Sequence, residues 1–113
     1  MHELSLCESI LQIIEENAAS QGFSKVKKVW LEIGALAGVE KEAMYFGFDV
    51  VCKDTLADKA ALEIIDLPAV AWCMPCAKNV TVTQRYDACP VCGSYQLQIS
   101  QGEELRIKEL EVE

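Results

Sequence analysis

Residues 72–95 read WCMPCAKNVTVTQRYDACPVCGSY, and their reading decides how the rest of the chain is divided. Cys73 and Cys76 are separated by two residues, Cys89 and Cys92 repeat that spacing, and twelve residues lie between the pairs. A two-residue gap lets both thiolates of a knuckle reach one ion while backbone amides hydrogen-bond the sulfurs. Two such knuckles complete a tetrahedron with Zn–S distances of about 2.3 Å. Gly93 suits a tight turn of positive φ after the second knuckle, and VTVT between the pairs alternates as a short strand. About two dozen residues with few large apolar side chains cannot offset their ordering entropy by burial. Metal binding of about 10–16 kcal/mol can. All four donors are cysteines, so no coordination position stays open, and the site reads as structural zinc rather than a catalytic metal.

Working outward, residues 70–93 form a zinc-binding domain inserted between strands, and residues 1–69 and 94–113 form an α/β domain around it. The knuckle CPVCG also resembles that of rubredoxin, and thiolates select iron as well as zinc. A colourless protein that yields zinc to a chelator distinguishes the two. Upstream, residues 4–21 carry Leu4, Cys7, Leu11, Ile14 and Ala18 at helical intervals with Ile10 alongside. Ser5 and Glu8 are spaced as a capping box, and Gly22 is placed to stop the helix. Residues 25–35 alternate as a strand, with Val29, Leu31 and Ile33 on one face and Lys28, Trp30 and Glu32 on the other. Gly34 and Gly38 bracket a turn. Helical spacing returns over residues 40–52, with Ala43, Phe46, Gly47, Val50 and Val51 on one face. Residues 60–67 form another strand, ended near Pro68. The chain finishes with two strands joined at Gln101–Gly102, and the second slips phase near Lys108 and Glu109, as at a β-bulge. The expected class is α+β: two helices packed on a small mixed β-sheet, with an inserted zinc-ribbon-like module of four cysteines.

Composition excludes several classes. The chain has 113 residues, 51% of them hydrophobic, and a formal net charge of −8. Nucleic-acid binders need a basic patch to neutralise phosphate; here the densest basic cluster is Lys25, Lys27 and Lys28. No apolar run approaches the roughly 18 residues of a membrane span, and no secretory signal is visible. The expected setting is therefore the cytoplasm. There, paired cysteine spacing points to metal rather than to disulfides. Cys7 and Cys52 stand apart from the knuckles and are expected in the core. The chain shows no Ser-His-Asp arrangement, Gly-rich phosphate loop or open metal site, so it is not expected to be an enzyme.

The sole histidine of the chain is His2. At Met1-His2-Glu3, the Met1 amine and the His2 backbone nitrogen close a five-membered chelate ring. The His2 amide nitrogen and its own Nδ1 close a six-membered ring, and the Glu3 amide or carboxylate supplies a further donor. Displacing a backbone amide proton needs an ion that favours a square plane of nitrogens, as Ni(II) and Cu(II) do and Zn(II) does not. Copper in cells is held mainly as Cu(I), which prefers thiolates, so Ni(II) is the expected ion. A lone histidine near a terminus is more often simply an exposed residue.

These segments together are similar to the hydrogenase maturation nickel chaperones of the HypA/HybF family. The resemblance rests on MHELSLC at the start, VWLEIGAL at 29–36, FDVVC at 48–52, WCMPC and CPVCG at the knuckles, and IKELEVE at the end. It implies nickel held at Met1, His2 and Glu3 as cargo and zinc held at Cys73, Cys76, Cys89 and Cys92. It implies delivery into the large subunit of a [NiFe]-hydrogenase with a partner GTPase. Edge strands and an exposed module permit a homodimer. The competing reading is a zinc-ribbon adaptor or scaffold without a nickel role.

Overall fold

In a computed structural model of the chain, which describes residues 2–113, eight elements follow one another. They are α1 (His2–Gln21), β1 (Val26–Gly34), α2 (Lys41–Cys52), β2 (Ala61–Leu67), β3 (Ala69–Cys73), β4 (Lys78–Val82), β5 (Leu97–Gln101) and β6 (Leu105–Val112). The class is α+β with two helices and a four-cysteine module, as the sequence leads one to expect. The strands are divided between two three-stranded sheets, ordered β2-β1-β6 and β4-β3-β5, rather than gathered in one. The last two strands do not form a hairpin: β5 belongs to one sheet and β6 to the other. No helix among the described residues is long and apolar enough to cross a membrane.

The chain falls into two compact units. The first comprises Met1–Leu31, Val39–Ile64 and Ile107–Glu113. Its α1 buries Cys7, Ile10, Leu11 and Ile14, which recur every three or four residues and so share one face. Leu4, expected on that face, is exposed, and Ala18 is half-buried. The helix begins at His2, so Ser5 and Glu8 lie inside it and form no capping box. Gly22 ends it as expected: its φ of +81° is left-handed, and its N–H donates to the Ala18 carbonyl at 2.8 Å.

The face of α2 agrees with the expectation in part: Gly47 is buried and Ala43 and Val51 are half-buried, but Phe46 and Val50 are exposed. Met44, Gly47, Phe48 and Cys52 are buried, whereas Phe46 and Val50 are 73% and 52% exposed. The segment is apolar nearly all round, so its period admits more than one face. A methyl group added at Gly47 would stand 3.3 Å from Cys7 Sγ and 3.7 Å from Leu4. The glycine lets the two helices approach closely, and that contact selects the buried face. Phe48, Met44, Ile14 and Leu31 are among the largest fully buried side chains. Burial of each contributes about 1.5–3 kcal/mol. Cys7 and Cys52 are buried as expected. Burial pushes their thiols up to about 11 and about 12, so both stay neutral and pack as small hydrophobes.

Strand β1 alternates as expected over Val29, Leu31 and Ile33, all buried, and Val26, three residues before Val29 and so out of that phase, is buried as well. On its other face Lys28 Nζ lies 4.6 Å from the Trp30 ring centroid and 2.9 Å from Glu63. In β6 the burial phase slips as read from the sequence. Ile107 and Leu110 are half-buried, and Lys108 and Glu109 between them are both exposed.

The second unit comprises Glu32–Gly38 and Ile65–Arg106. Strand β3 pairs antiparallel with β4, setting Cys73 opposite Lys78, and with β5, setting Cys73 opposite Leu97. The register on the β5 side shifts between Val70 and Ala71. Gly34 and Gly102 meet backbone to backbone. The Gly34 N–H donates to Glu104 O at 2.8 Å and the Leu36 N–H to Gly102 O at 2.6 Å. A methyl group at Gly34 would fall on the Gly102 carbonyl carbon and oxygen. Backbone atoms cannot swing aside as a side-chain end can. Gly34→Ala is therefore expected to cost about 2–4 kcal/mol. A thermal melt should show a lowered midpoint, and an unchanged midpoint would contradict this packing.

Candidate metal centre

Four cysteines from three places in the second unit converge. Cys73 ends β3, Cys76 follows in the turn to β4, and Cys89 and Cys92 lie in the loop before β5. Their sulfurs all lie within 4.8 Å of one another. The Cys73–Cys92 and Cys76–Cys89 separations are 3.6 and 4.0 Å. A tetrahedron with Zn–S bonds of about 2.3 Å has S···S edges of about 3.8 Å, so these two separations bracket the zinc value.

Both knuckles use the same backbone turn. In the first, the Ala77 N–H donates to Cys73 O at 2.8 Å, with Ala77 at φ +52°. In the second, the Gly93 N–H donates to Cys89 O at 2.8 Å, with Gly93 at φ +79°. The sequence signals the second turn through glycine. The first is hidden because alanine rarely adopts this conformation, and only its equivalence to Gly93 betrays it. One sulfur also receives an amide bond: Val91 N–H donates to Cys89 Sγ at 3.4 Å.

The four thiols of the cluster differ in acidity. Backbone N–H groups at Cys92 and Val91 stabilise charge on Cys89 and bring its thiol down to about 6. Hydrogen bonding with Cys92, burial and the other sulfurs push Cys76 up to about 12. Burial also raises Cys73. Four adjacent thiolates repel one another, and a divalent ion removes that penalty. An all-sulfur donor set at these separations fits zinc in a closed, structural site. Zinc bound there would supply a crosslink between the two knuckles.

The loop between the knuckles has its own staple, which no cysteine spacing signals. Asp87 Oδ2 accepts from Thr83 N–H at 3.1 Å, Thr83 Oγ1 at 2.9 Å and Gln84 N–H at 3.0 Å. These bonds hold its carboxyl below the usual carboxylate range, the Thr83 hydroxyl foremost. Its stabilising contribution is complete above about pH 4 and is lost as pH falls through the lowered folded value. Its signal in the sequence is a Thr and an Asp four residues apart, a spacing short enough for such side-chain bonds.

At the other end of the chain, Met1 lies outside the described residues. His2 is exposed and opens α1, and Glu3 follows it in the first turn. Glu3 Oε2 accepts the Glu40 N–H at 3.3 Å, which holds the carboxyl below its ordinary range. The first N–H groups of a helix have no intrahelical acceptor, so those of His2 and Glu3 are not committed to the α1 ladder.

Comparison with known proteins places the chain in a family. Residues 1–112 match the family described as hydrogenase/urease nickel incorporation, metallochaperone, hypA. The chain is 65% identical over 113 residues to hydrogenase maturation factor HypA of Alkalilimnicola ehrlichii, covering all of both chains. It is 63% identical over the same length to hydrogenase maturation factor HypA of Acidithiobacillus ferrooxidans, again covering both completely. Among solved structures, it is similar to the solution structure of the Ni metallochaperone HypA from Helicobacter pylori. That match has a TM-score of 0.71 at 29% identity over 99% of this chain and 97% of that one. A second HypA solution structure matches with a TM-score of 0.72 at 28% identity, over 99% of this chain and 96% of that one. Sequence similarity over the whole length and a shared fold lead to one conclusion: the chain belongs to the HypA family of nickel-incorporation metallochaperones.

Proposed function

We propose that the chain binds Ni(II) through the Met1 amine, the His2 amide nitrogen and imidazole, and Glu3, and delivers it to a [NiFe]-hydrogenase large subunit with a partner GTPase. The observation that carries this reading is the placement of the only histidine at the first position of α1. Deprotonating the His2 and Glu3 amides there breaks no intrahelical hydrogen bond. The positive end of the helix dipole favours the resulting negative charge. The Glu3 carboxylate already serves the Glu40 N–H, which favours the amide nitrogen as the Glu3 donor. A net charge of −8 draws cations toward the chain.

The working division is a nickel-handling part, residues 1–69 and 94–113, and a zinc part, residues 70–93. Zinc at Cys73, Cys76, Cys89 and Cys92 is structural, and nickel is cargo. The protein performs no catalysis of its own, so nucleotide hydrolysis belongs to the GTPase. It works in the cytoplasm. A site of exposed donors at a chain end suits handover, because a partner's ligands can replace its donors one at a time.

Protons compete with nickel for each donor. Imidazoles and α-amines ordinarily ionise near about 6.5 and about 7.7–8.0. Nickel affinity is therefore expected to fall at least about 100-fold between pH 7.5 and pH 5.5, since amine and imidazole donors bind a metal only when deprotonated. Calorimetric titration across that range is the check. An affinity that stays flat would remove the amine and the imidazole from the ligand set.

A further inference from the structure

The second unit carries a cleft of about 190 Å³ that no part of the metal chemistry uses. Its floor is apolar: Val82, Leu97 and Ile99, all belonging to or packed against the small core under the β4-β3-β5 sheet. Tyr86 and Tyr95 also line it, and they are 87% and 76% exposed. Tyr86 stands at φ +73°, a conformation that a bulky side chain rarely adopts. A ring that contributes nothing to the core is thus held at the cleft by a strained backbone.

The charges around the cleft select its occupant. Its one cationic side chain, Arg85, is occupied: Nη1 lies 2.6 Å from Glu103 and Nη2 donates to Leu36 O at 3.5 Å. Asp87 also lines the cleft, and its three loop bonds all go to Oδ2. Among the described residues no partner takes its Oδ1. Two tyrosine faces carry negative quadrupoles, and the carboxylate adds a full negative charge beside an apolar floor. That combination accepts a cation on an apolar stem. The guanidinium of arginine fits it better than an ammonium, because it is planar, weakly hydrated and stacks on aromatic faces. The net charge of −8 steers basic segments toward the chain.

We propose that the cleft bounded by Tyr86, Tyr95 and Asp87 is a docking site for an arginine-bearing segment of a partner protein. This stands apart from the nickel reading, since none of its residues is a proposed metal ligand. The test uses the full zinc-loaded chain, isotopically labelled, and the capped peptide acetyl-Gly-Gly-Arg-Gly-Gly-amide, which offers no amine or imidazole to a metal. Counterpart peptides carry norleucine, proline or glutamate in place of arginine. Amide resonances of residues 82–87 and 95–99 should move saturably with the arginine peptide. Its affinity should exceed that of each counterpart by about fivefold or more. Tyr86→Ser and Tyr95→Ser should each weaken it about fivefold, and Tyr95→Phe should leave it unchanged, since the ring face and not the hydroxyl does the binding. Equal shifts with norleucine or proline would mean a merely apolar groove and would overturn the proposal. So would binding that survives both serine substitutions. The peptide series reads the same site without any variant, so a disturbed loop in one of them does not leave the question open.

Discussion

Cys92→Ser is expected to strip the metal from the protein and to melt the four-cysteine region while leaving the α1–α2 pair helical. Cys92 is the exposed member of the cluster, so its replacement removes a ligand with little loss of packing. The buried cluster here consists of Ala69, Ala71, Cys73, Val80, Val82 and Cys89. Two of those six residues, Cys73 and Cys89, belong to the four-cysteine cluster, and the other four are small. Such a core buries too little apolar surface to offset the ordering of the loops that contribute Cys76 and Cys92. Structural zinc contributes about 10–16 kcal/mol in modules of this kind, and losing one thiolate removes much of it. Zinc content after gel filtration should drop from one equivalent to near zero. Amide exchange over residues 69–101 should lose its protection, while protection in α1 and α2 persists. One retained equivalent of zinc with protection intact would mean that three sulfurs suffice and that the energetic argument is wrong.

His2→Ala should weaken nickel binding by about 100-fold or more, because it removes the imidazole and the six-membered chelate ring together. The fold should not register the change. His2 is exposed, and alanine is a better helix former than histidine. Zinc content and thermal midpoint should therefore match the parent chain. Glu3→Gln is the control: it keeps the amide nitrogen and removes only the carboxylate charge. If Glu3 binds through its amide, this variant should bind nickel within about threefold of the parent. A large loss in Glu3→Gln would instead make the carboxylate a ligand.

Much of this architecture is legible in the sequence because it is written in short-range patterns. The period of Cys7, Leu11 and Ile14 sets the face of α1, and the alternation of Val29, Leu31 and Ile33 sets that of β1. The spacing of the two cysteine pairs anticipates a cluster whose sulfurs do converge. What escaped depends on distant contacts. The period within KEAMYFGFDVVC places Gly47 on the buried face of α2, but that Met44 and Phe48 join it instead of Phe46 and Val50 follows from how Gly47 meets α1. The assignment of β5 and β6 to different sheets turns on Gly102. Its φ of +128° and its approach to Ala69 allow no side chain there, yet in the sequence it resembles an ordinary hairpin glycine. The Tyr86–Tyr95 cleft joins residues from two loops and two strands, and nothing in either segment alone announces it. For the proposed nickel site the reverse holds. The donor set is read from three consecutive residues, one of which lies outside the described structure.

The proposed nickel site turns on the Met1 amine, and blocking that amine isolates it as a donor without changing a side chain. Nickel should be titrated by calorimetry at pH 7.5 into two zinc-loaded preparations, one with an unmodified terminus and one acetylated at Met1. A single tight site is expected in the first and an affinity at least about 100-fold lower in the second, with equal zinc in both. Equal nickel affinity in the two preparations would contradict it.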